Sequence, residues 1–434
     1  MKKIKNRPSE KNIYLWNIAG SFSNALASVL FLVAVARVTG SKESDIFSLA
    51  WSIAQLTLTV GTFQVRLFQA TDVEGRFSFQ QYLFFRILTV AAMMLVAVFY
   101  IFHYHYTGLK AAVILSLCAY KAVEALSDVY QGWFQLKERL DLAGKGMTFR
   151  VILSLAVFII TLGVSGNLLL SCLIMTLISI ACFILFEIRY MVQSGFQKEA
   201  SEAAKKRQKG IRALGDIFVK CFPLFLNAYL VMLIFNAPKM AIDRAITAGN
   251  MEAGMQTVYN IIFMPTTVIN LVYLVFRPVV TKMAIEWNTG HSDEYLKLIR
   301  KVILGLTFID IFILAGGYFL GIPVLAAVYG VNLGNTRKAL MLLLLAGGLN
   351  TLVNVLDNAL TVIRKQYTLI IAYVIAWIFA EWSAPVMTGQ AGIDGAAFSF
   401  LSAMGVLLIA VMILFIAGYR NAKKMRVRNT EIGD

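Results

Sequence analysis

The chain has 434 residues, of which 59% are hydrophobic and 15% charged, with a formal net charge of +16. So large an apolar share excludes a soluble globular domain and indicates a polytopic membrane protein. The positive balance does not point to nucleic acid, because Lys and Arg gather in short connecting segments and tails, the pattern of cytoplasmic loops.

Apolar runs of spanning length fall at 12–38, 45–68, 80–104, 110–136, 142–163, 167–192, 215–239, 254–280, 298–320, 337–364, 367–387 and 393–418. The expected fold is an all-α membrane protein of about twelve transmembrane helices. MKKIKNRPSEK starts like a secretory signal, but the apolar stretch from Ile13 to Val38 is too long and lacks a small-residue cleavage site. It reads as a retained first helix. An even number of spans puts both termini on one side. With that side cytoplasmic, basic groups such as Lys137, Arg139, Lys205, Arg207, Arg300, Lys365 and Lys424 all fall on inner segments.

The fourth run carries charge where the bilayer penalises it. Lys121, Glu124, Asp128, Gln131 and Gln135 recur at spacings of three and four, which puts them on one stripe of a helix. Such groups must face a bundle interior or a watered cavity. Lys121 and Glu124 could neutralise one another as structural glue, and the spacing alone does not separate that from a ligand site. Arg150 in the fifth run is also near mid-membrane and needs an anion. Arg66, Arg86, Lys145, Lys220 and Arg277 lie near the inner interface and Arg37 and Lys239 near the outer, where long side chains can snorkel to water.

The longest connection, 193–214, is basic and polar and divides the runs six and six. The expected organisation is a six-helix lobe at 1–192, a cytoplasmic basic linker at 193–214, a second six-helix lobe at 215–420 and a basic cytoplasmic tail at 421–434. Shifting by 230 residues sets Glu124 on Asn354, Asp128 on Asn358 and Gln131 on Thr361. The tenth run has a stripe of its own in Asn350, Asn354, Asp357, Thr361 and Arg364. The halves therefore read as a parallel repeat, with a path between them. Pro223, Pro238, Pro265, Pro278 and Pro323 are expected to interrupt the second half, and Gly316, Gly317 and Gly321 to loosen the ninth helix. Asp310 and Glu381 are further intramembrane acids.

Enzymatic signatures are thin. His103 and His105 stand at a helix end with no acid to complete a metal site, and the GKG of Gly144 to Gly146 lacks the frame of a P-loop. No nucleophile and base stand at a family spacing, the four cysteines lie in apolar runs, and no cofactor is indicated.

The run APKMAIDRAITAGNMEAGMQTVYNIIFMPTTVINLVYLVFRPVV, with Asp243, Gly254, Tyr259 and Pro278, resembles the polysaccharide transporter branch of the multidrug/oligosaccharidyl-lipid/polysaccharide flippase superfamily. Arg37, Thr39 and Gly40 after the first helix, and VEALSDVYQGWFQLKERLDLAGK across helices four and five, agree. The resemblance implies two pseudo-symmetric six-helix lobes, as in multidrug MATE transporters, with alternating access and a cationic cavity. It implies a bacterial plasma-membrane flippase moving a polyprenyl-diphosphate-linked oligosaccharide outward for capsule, O-antigen or wall assembly, beside a polysaccharide polymerase and glycosyltransferases. On that reading Lys121 and Arg150 contact the diphosphate, with Arg37, Arg66, Gln131 and Asn354 along the path. Glu124, Asp128, Asp310 and Asp357 tune the cations or carry a coupling ion. A cation-coupled drug antiporter would use Glu124, Asp128 and Asp310 as cation-binding acids instead, but mid-membrane cations speak against it. A glycan polymerase or ligase would need a large outer loop, and every outer segment is short.

Overall fold

Amphipathic and apolar runs of this length form helices because lipid leaves no other partner for the backbone. The computed structural model describes residues 9–72, 75–196, 211–273 and 277–433. The first basic residues, including Lys2 and Arg7, and most of the 193–214 linker, with Lys205, Lys206, Arg207 and Lys209, lie outside the described residues. Among the described residues the chain is helical, with no strand.

In chain order the helices are α1 (Glu10–Val38), α2 (Ser41–Thr62), α3 (Val65–Thr71), α4 (Phe79–His103), α5 (Gly108–Leu136), α6 (Leu140–Ser165) and α7 (Leu168–Cys182). A π-turn at Phe183–Ile188 carries α7 into α8 (Arg189–Gln193). Then come α9 (Ile211–Thr247), α10 (Met255–Tyr273), α11 (Arg277–Asn288), α12 (Ser292–Gly316), α13 (Ile322–Tyr329), α14 (Arg337–Val362) and α15 (Leu369–Gly433). The backbone departs from helix at Ala391 and Gly392, so α15 is two passes, 369–390 and 393–433.

Eight of the described helical stretches are long and apolar enough to cross a membrane. The kink divides the last of these, Gln366–Lys424, and makes a further pass. The others in the expected set, α2 and α5, carry polar and charged side chains that the bundle buries, and the eighth run is the pair α10 and α11. The chain is an all-α membrane protein.

Local sequence sets the ends. Ser78 and Gln81 form a reciprocal capping box at the start of α4, and Asn167 accepts from the Leu170 amide at the start of α7. Several boundaries depart from the sequence reading. The second run is expected unbroken over 45–68, yet Phe63 and Gln64 adopt left-handed backbone and divide α2 from α3. Pro223 and Pro238 lie inside α9, which runs on through both, because a proline removes only one bond of the ladder and neighbouring turns hold. The ninth helix does loosen where its glycines cluster, as a π-turn at Gly317–Gly321.

The chain forms two compact units, Met1–Tyr229 and Leu230–Asp434. In the first, α1 packs along α6, while α5 is held between α2, α4 and α7. In the second, α14 takes the corresponding central place, packed against α10, α12 and α15. Each central helix is therefore the fourth span of its half, and these are the two that carry the polar stripes. Outward faces are apolar, with Leu95, Phe102, Val164 and Phe319 among the exposed groups, as lipid contact requires. The four cysteines are buried and unpaired.

The pairing of α1 and α6 rests on two glycines. A Cβ built on Gly144 would lie 2.1 Å from the Trp16 carbonyl oxygen, and one on Gly20 3.0 Å from that of Gly144. Backbones this close leave no room for a side chain. Gly144→Leu should therefore lower thermal stability in detergent sharply, by about 1–3 kcal/mol or more. Gly163→Ala, in open space on the same helix, should leave the melting temperature nearly unchanged.

Candidate functional site

The site is built around the break between α2 and α3. Left-handed Phe63 and Gln64 interrupt the hydrogen-bond ladder, and the Gly61 carbonyl turns to side chains instead. Arg86 Nη1 donates to it at 2.6 Å and Thr89 Oγ1 at 2.7 Å, both from α4. Arg86 is fully buried, and its Nη2 donates to Asp128 Oδ2 on α5 at 2.8 Å. The other Asp128 oxygen faces Arg66 Nη1 of α3 at 3.4 Å. One carboxylate thus holds two arginines across a helix break. Arg86 does not snorkel, because the freed carbonyl and Asp128 hold its Nη1 and Nη2 inside the protein, with only Nε left without a partner.

From Arg66 the contacts continue in one direction. Its Nη1 donates to Gln131 Oε1 at 2.8 Å, which fixes the amide orientation. Gln131 Nε2 then donates to Ser127 Oγ at 2.9 Å, and Ser127 donates to Glu187 Oε1 at 2.6 Å. Arg66 Nε also donates to Gln135 Oε1 at 3.3 Å. Glu187 sits in the π-turn after α7 and is completely buried. Arg150 of α6 approaches it with Nε 3.7 Å from Oε1, beyond hydrogen-bond reach. Arg150 is 1% exposed, and its Nε and Nη1 have no hydrogen-bond partner, nor does Glu187 Oε2.

The stripe of α5 therefore resolves into two groups. Asp128, Gln131 and Gln135 meet Arg66, whereas Lys121 Nζ closes on Glu124 at 2.7 Å and lies 4.7 Å from the centre of the Trp51 ring. Glu124 also takes a hydrogen bond from Asn24 of α1 and lies within the field of Arg150. The connected chain holds three arginines (Arg66, Arg86, Arg150) against two carboxylates (Asp128, Glu187), a surplus of one positive charge when all are ionised. Arg66 is the most open of the three, with 28% of its side chain exposed, and Nη2 is free of hydrogen bonds.

The remaining candidates are placed elsewhere. Arg37 is exposed in the last turn of α1. In the second unit, the Asn354 carbonyl accepts from Asn358 Nδ2 at 2.7 Å, one turn along α14. Asp357 is hydrogen-bonded to the Tyr373 hydroxyl. Asp310 of α12 lies against Gly348, where a Cβ would come 2.8 Å from its carboxylate oxygen. Lys239 turns its amine over the Phe263 ring, 4.5 Å from the centroid. The side chain of Arg277 lies outside the described residues. Glu187 escapes a reading of the sequence, because an acid followed by Arg189 and Tyr190 at the end of an apolar run looks interfacial. Its lack of spacing to any cation in the chain left no signal.

No family model matches the chain. A curated relative, the capsular polysaccharide biosynthesis protein CapF of Staphylococcus aureus, is 23% identical over 335 residues, 77% of this chain and 80% of the relative. Among solved structures, the lipid II flippase MurJ in an inward closed conformation superposes with a TM-score of 0.65 at 13% identity, over 95% of this chain and 91% of MurJ. A transporter of the multidrug/oligosaccharidyl-lipid/polysaccharide superfamily from Pyrococcus furiosus gives 0.62 at 12%, over 96% of each chain. A point mutant of the Vibrio cholerae MATE transporter VcmN gives 0.61 at 13%, over 95% of this chain and 97% of VcmN. The chain has the fold of that superfamily. The matched structures are transporters and a flippase, none an enzyme, and their likeness extends over nearly the whole of this chain.

Neutralising Asp128 would leave two arginines facing each other without their shared acid. Asp128→Asn should destabilise the folded protein by about 3–5 kcal/mol, measured by denaturation in detergent. Glu294→Gln, which breaks an exposed pair with Lys297, should leave the same denaturation midpoint nearly unchanged.

Proposed function

We propose that the protein is a flippase that carries a polyprenyl-diphosphate-linked oligosaccharide from the cytoplasmic to the outer leaflet of a bacterial plasma membrane. The observation that carries this reading is the surplus positive charge of the first unit, presented at a partly exposed arginine inside a polar network. A diphosphate cannot shed its hydration shell in hydrocarbon without replacement donors, and a guanidinium supplies them in a geometry suited to phosphate oxygens. Arg66 would make the first contact through its free Nη2. Lys121 would join by exchanging Glu124 for phosphate, and Arg150 would add field from behind. Gln131, and Asn354 in the second lobe, would meet sugar hydroxyls, while Arg37 would lie at the outer end of the path. Glu124, Asp128, Asp310 and Asp357 would set the charge balance.

A cation-coupled drug antiporter needs an excess of acid at its site, and the network has the opposite sign. The relative named for capsular polysaccharide biosynthesis and the structural likeness to a lipid II flippase support the same substrate chemistry. On this reading the lobes 1–192 and 215–420 are joined at the cytoplasmic face by the basic segment 193–214. Both termini are cytoplasmic, the tail at 421–434 lies along anionic lipid, and a polymerase and glycosyltransferases of the same pathway supply and consume the substrate.

Surface glycan export in cells relying on this protein tests the assignment. Arg66→Ala should lower export at least tenfold, about 1.4 kcal/mol of lost interaction, at unchanged protein level. Lys121→Ala and Arg150→Ala should do the same. Wild-type export in all three would remove the site.

A further inference from the structure

Glu187 and Arg150 are arranged as no closed ion pair would be. A settled arginine–carboxylate fork makes two short parallel hydrogen bonds. Here the nearest approach is 3.7 Å, and two nitrogens and one oxygen remain unpartnered in a fully buried place. Unsatisfied polar atoms this deep call for an explanation in function or in a bound species. The π-turn supplies a structural cause, since it is what turns residue 187 inward against α6, where the Glu187 carboxyl carbon would lie 3.0 Å from a Cβ built on Gly146. π-turns of this kind gather at functional positions.

The hydrogen-bond directions around Glu187 say which atom is open. Arg66 can only donate, so Gln131 Oε1 is the acceptor and Gln131 Nε2 the donor to Ser127. The Ser127 hydrogen is left to point at Glu187 Oε1. Oε1 is therefore occupied by a donor, and Oε2 is the oxygen with an unused lone pair. Titratable and charged groups face this carboxyl from each neighbouring element: Arg150 from α6, Tyr130 from α5, and Cys182 and Tyr190 from its own helical stretch.

We propose that Glu187 is a proton-binding site, taking its proton on Oε2, and that its protonation releases Arg66 to bind the anionic headgroup. The step is a protonation only: a proton from water joins the Oε2 lone pair, the carboxylate becomes a neutral carboxyl, and no other bond changes. Its consequence travels along the donor chain. Ser127 then donates to a neutral oxygen in place of an anion, the polarised run of hydrogen bonds weakens, and Gln131 loosens its hold on Arg66. The connected network rises from a surplus of one positive charge to two. Proton and anion thus favour each other's binding, with the reciprocity that linkage demands. The proposal rests on the flippase reading for the identity of the anion, but the proton site does not.

Purified protein in nanodiscs separates the two. Infrared titration of the protonated-carboxyl carbonyl band should show a component in the wild type that grows on acidification and is missing in Glu187→Gln. Farnesyl diphosphate serves as a prenyl diphosphate probe. Its affinity should fall as pH rises in the wild type, by up to tenfold per pH unit for one linked proton. Sulfate, whose charge is constant in this range, controls for titration of the probe itself. In Glu187→Gln, which mimics the protonated acid, the corrected dependence should be flat and affinity high throughout. Ser127→Ala keeps the acid but cuts the chain, so the infrared component should persist while the pH dependence of binding becomes shallower, down to the part that the change in charge alone supplies. An infrared titration identical in wild type and Glu187→Gln would overturn the proton site. Farnesyl diphosphate affinity unaltered by pH, with the infrared component present, would overturn the coupling to Arg66. Absence of farnesyl diphosphate binding at every pH would count against the flippase reading and leave the infrared result to decide the proton site.

Discussion

The first unit depends on one carboxylate placed between two arginines. Asp128 faces Arg86 and Arg66 together, and Arg86 in turn holds the Gly61 carbonyl that the end of α2 leaves without its helical partner. Helix break, buried cation and acid therefore exist only as a set. A broken helix in lipid must find donors for its carbonyls, and a buried arginine must find acceptors. Each supplies what the other lacks. The arrangement also fixes where Arg66 stands, since α3 begins immediately after the break.

Polar groups inside a membrane bundle are retained against a desolvation cost, so their pattern carries information about use. Two kinds of pair occur here. Lys121 with Glu124 is a closed contact of adjacent turns, neutral and backed by the Trp51 ring. Arg150 with Glu187 is open, with unpartnered atoms on both sides. The first kind is closed, so an anion enters it only by displacing Glu124. The second leaves capacity for a further species, and a run of oriented hydrogen bonds links it to the most exposed arginine of the network.

The two units share a plan but not a charge. Each has its fourth span at the centre with a polar stripe, yet the first stripe meets arginines, whereas in the second Asp357 meets the Tyr373 hydroxyl and Asn358 bonds back to the Asn354 carbonyl of its own helix. Among the described residues, Asp310 and Asp357 of the second unit make no ion pair. The halves have thus diverged in chemistry, with guanidinium donors suited to phosphate oxygens in the first and uncharged amides and a hydroxyl in the second.

Much of this was written in the linear chain. Apolar run lengths placed the long spanning segments, since bilayer thickness admits few other readings. The three-and-four spacing of Lys121, Glu124, Asp128, Gln131 and Gln135 placed them on one face, because helical pitch alone decides that. Other features were not legible. The break at Phe63 and Gln64 carries neither glycine nor proline, and left-handed backbone there is held by Arg86 and Thr89 from another helix. Arg86 read as a group that could reach the interface, because depth along a helix says nothing of which neighbour faces it. Glu187 is invisible for the same reason: its partners Ser127 and Arg150 lie far off in the chain, and only packing of α5, α6 and the π-turn brings them together. Sequence determined which residues the membrane must hide, and tertiary structure decided which of them would hide one another.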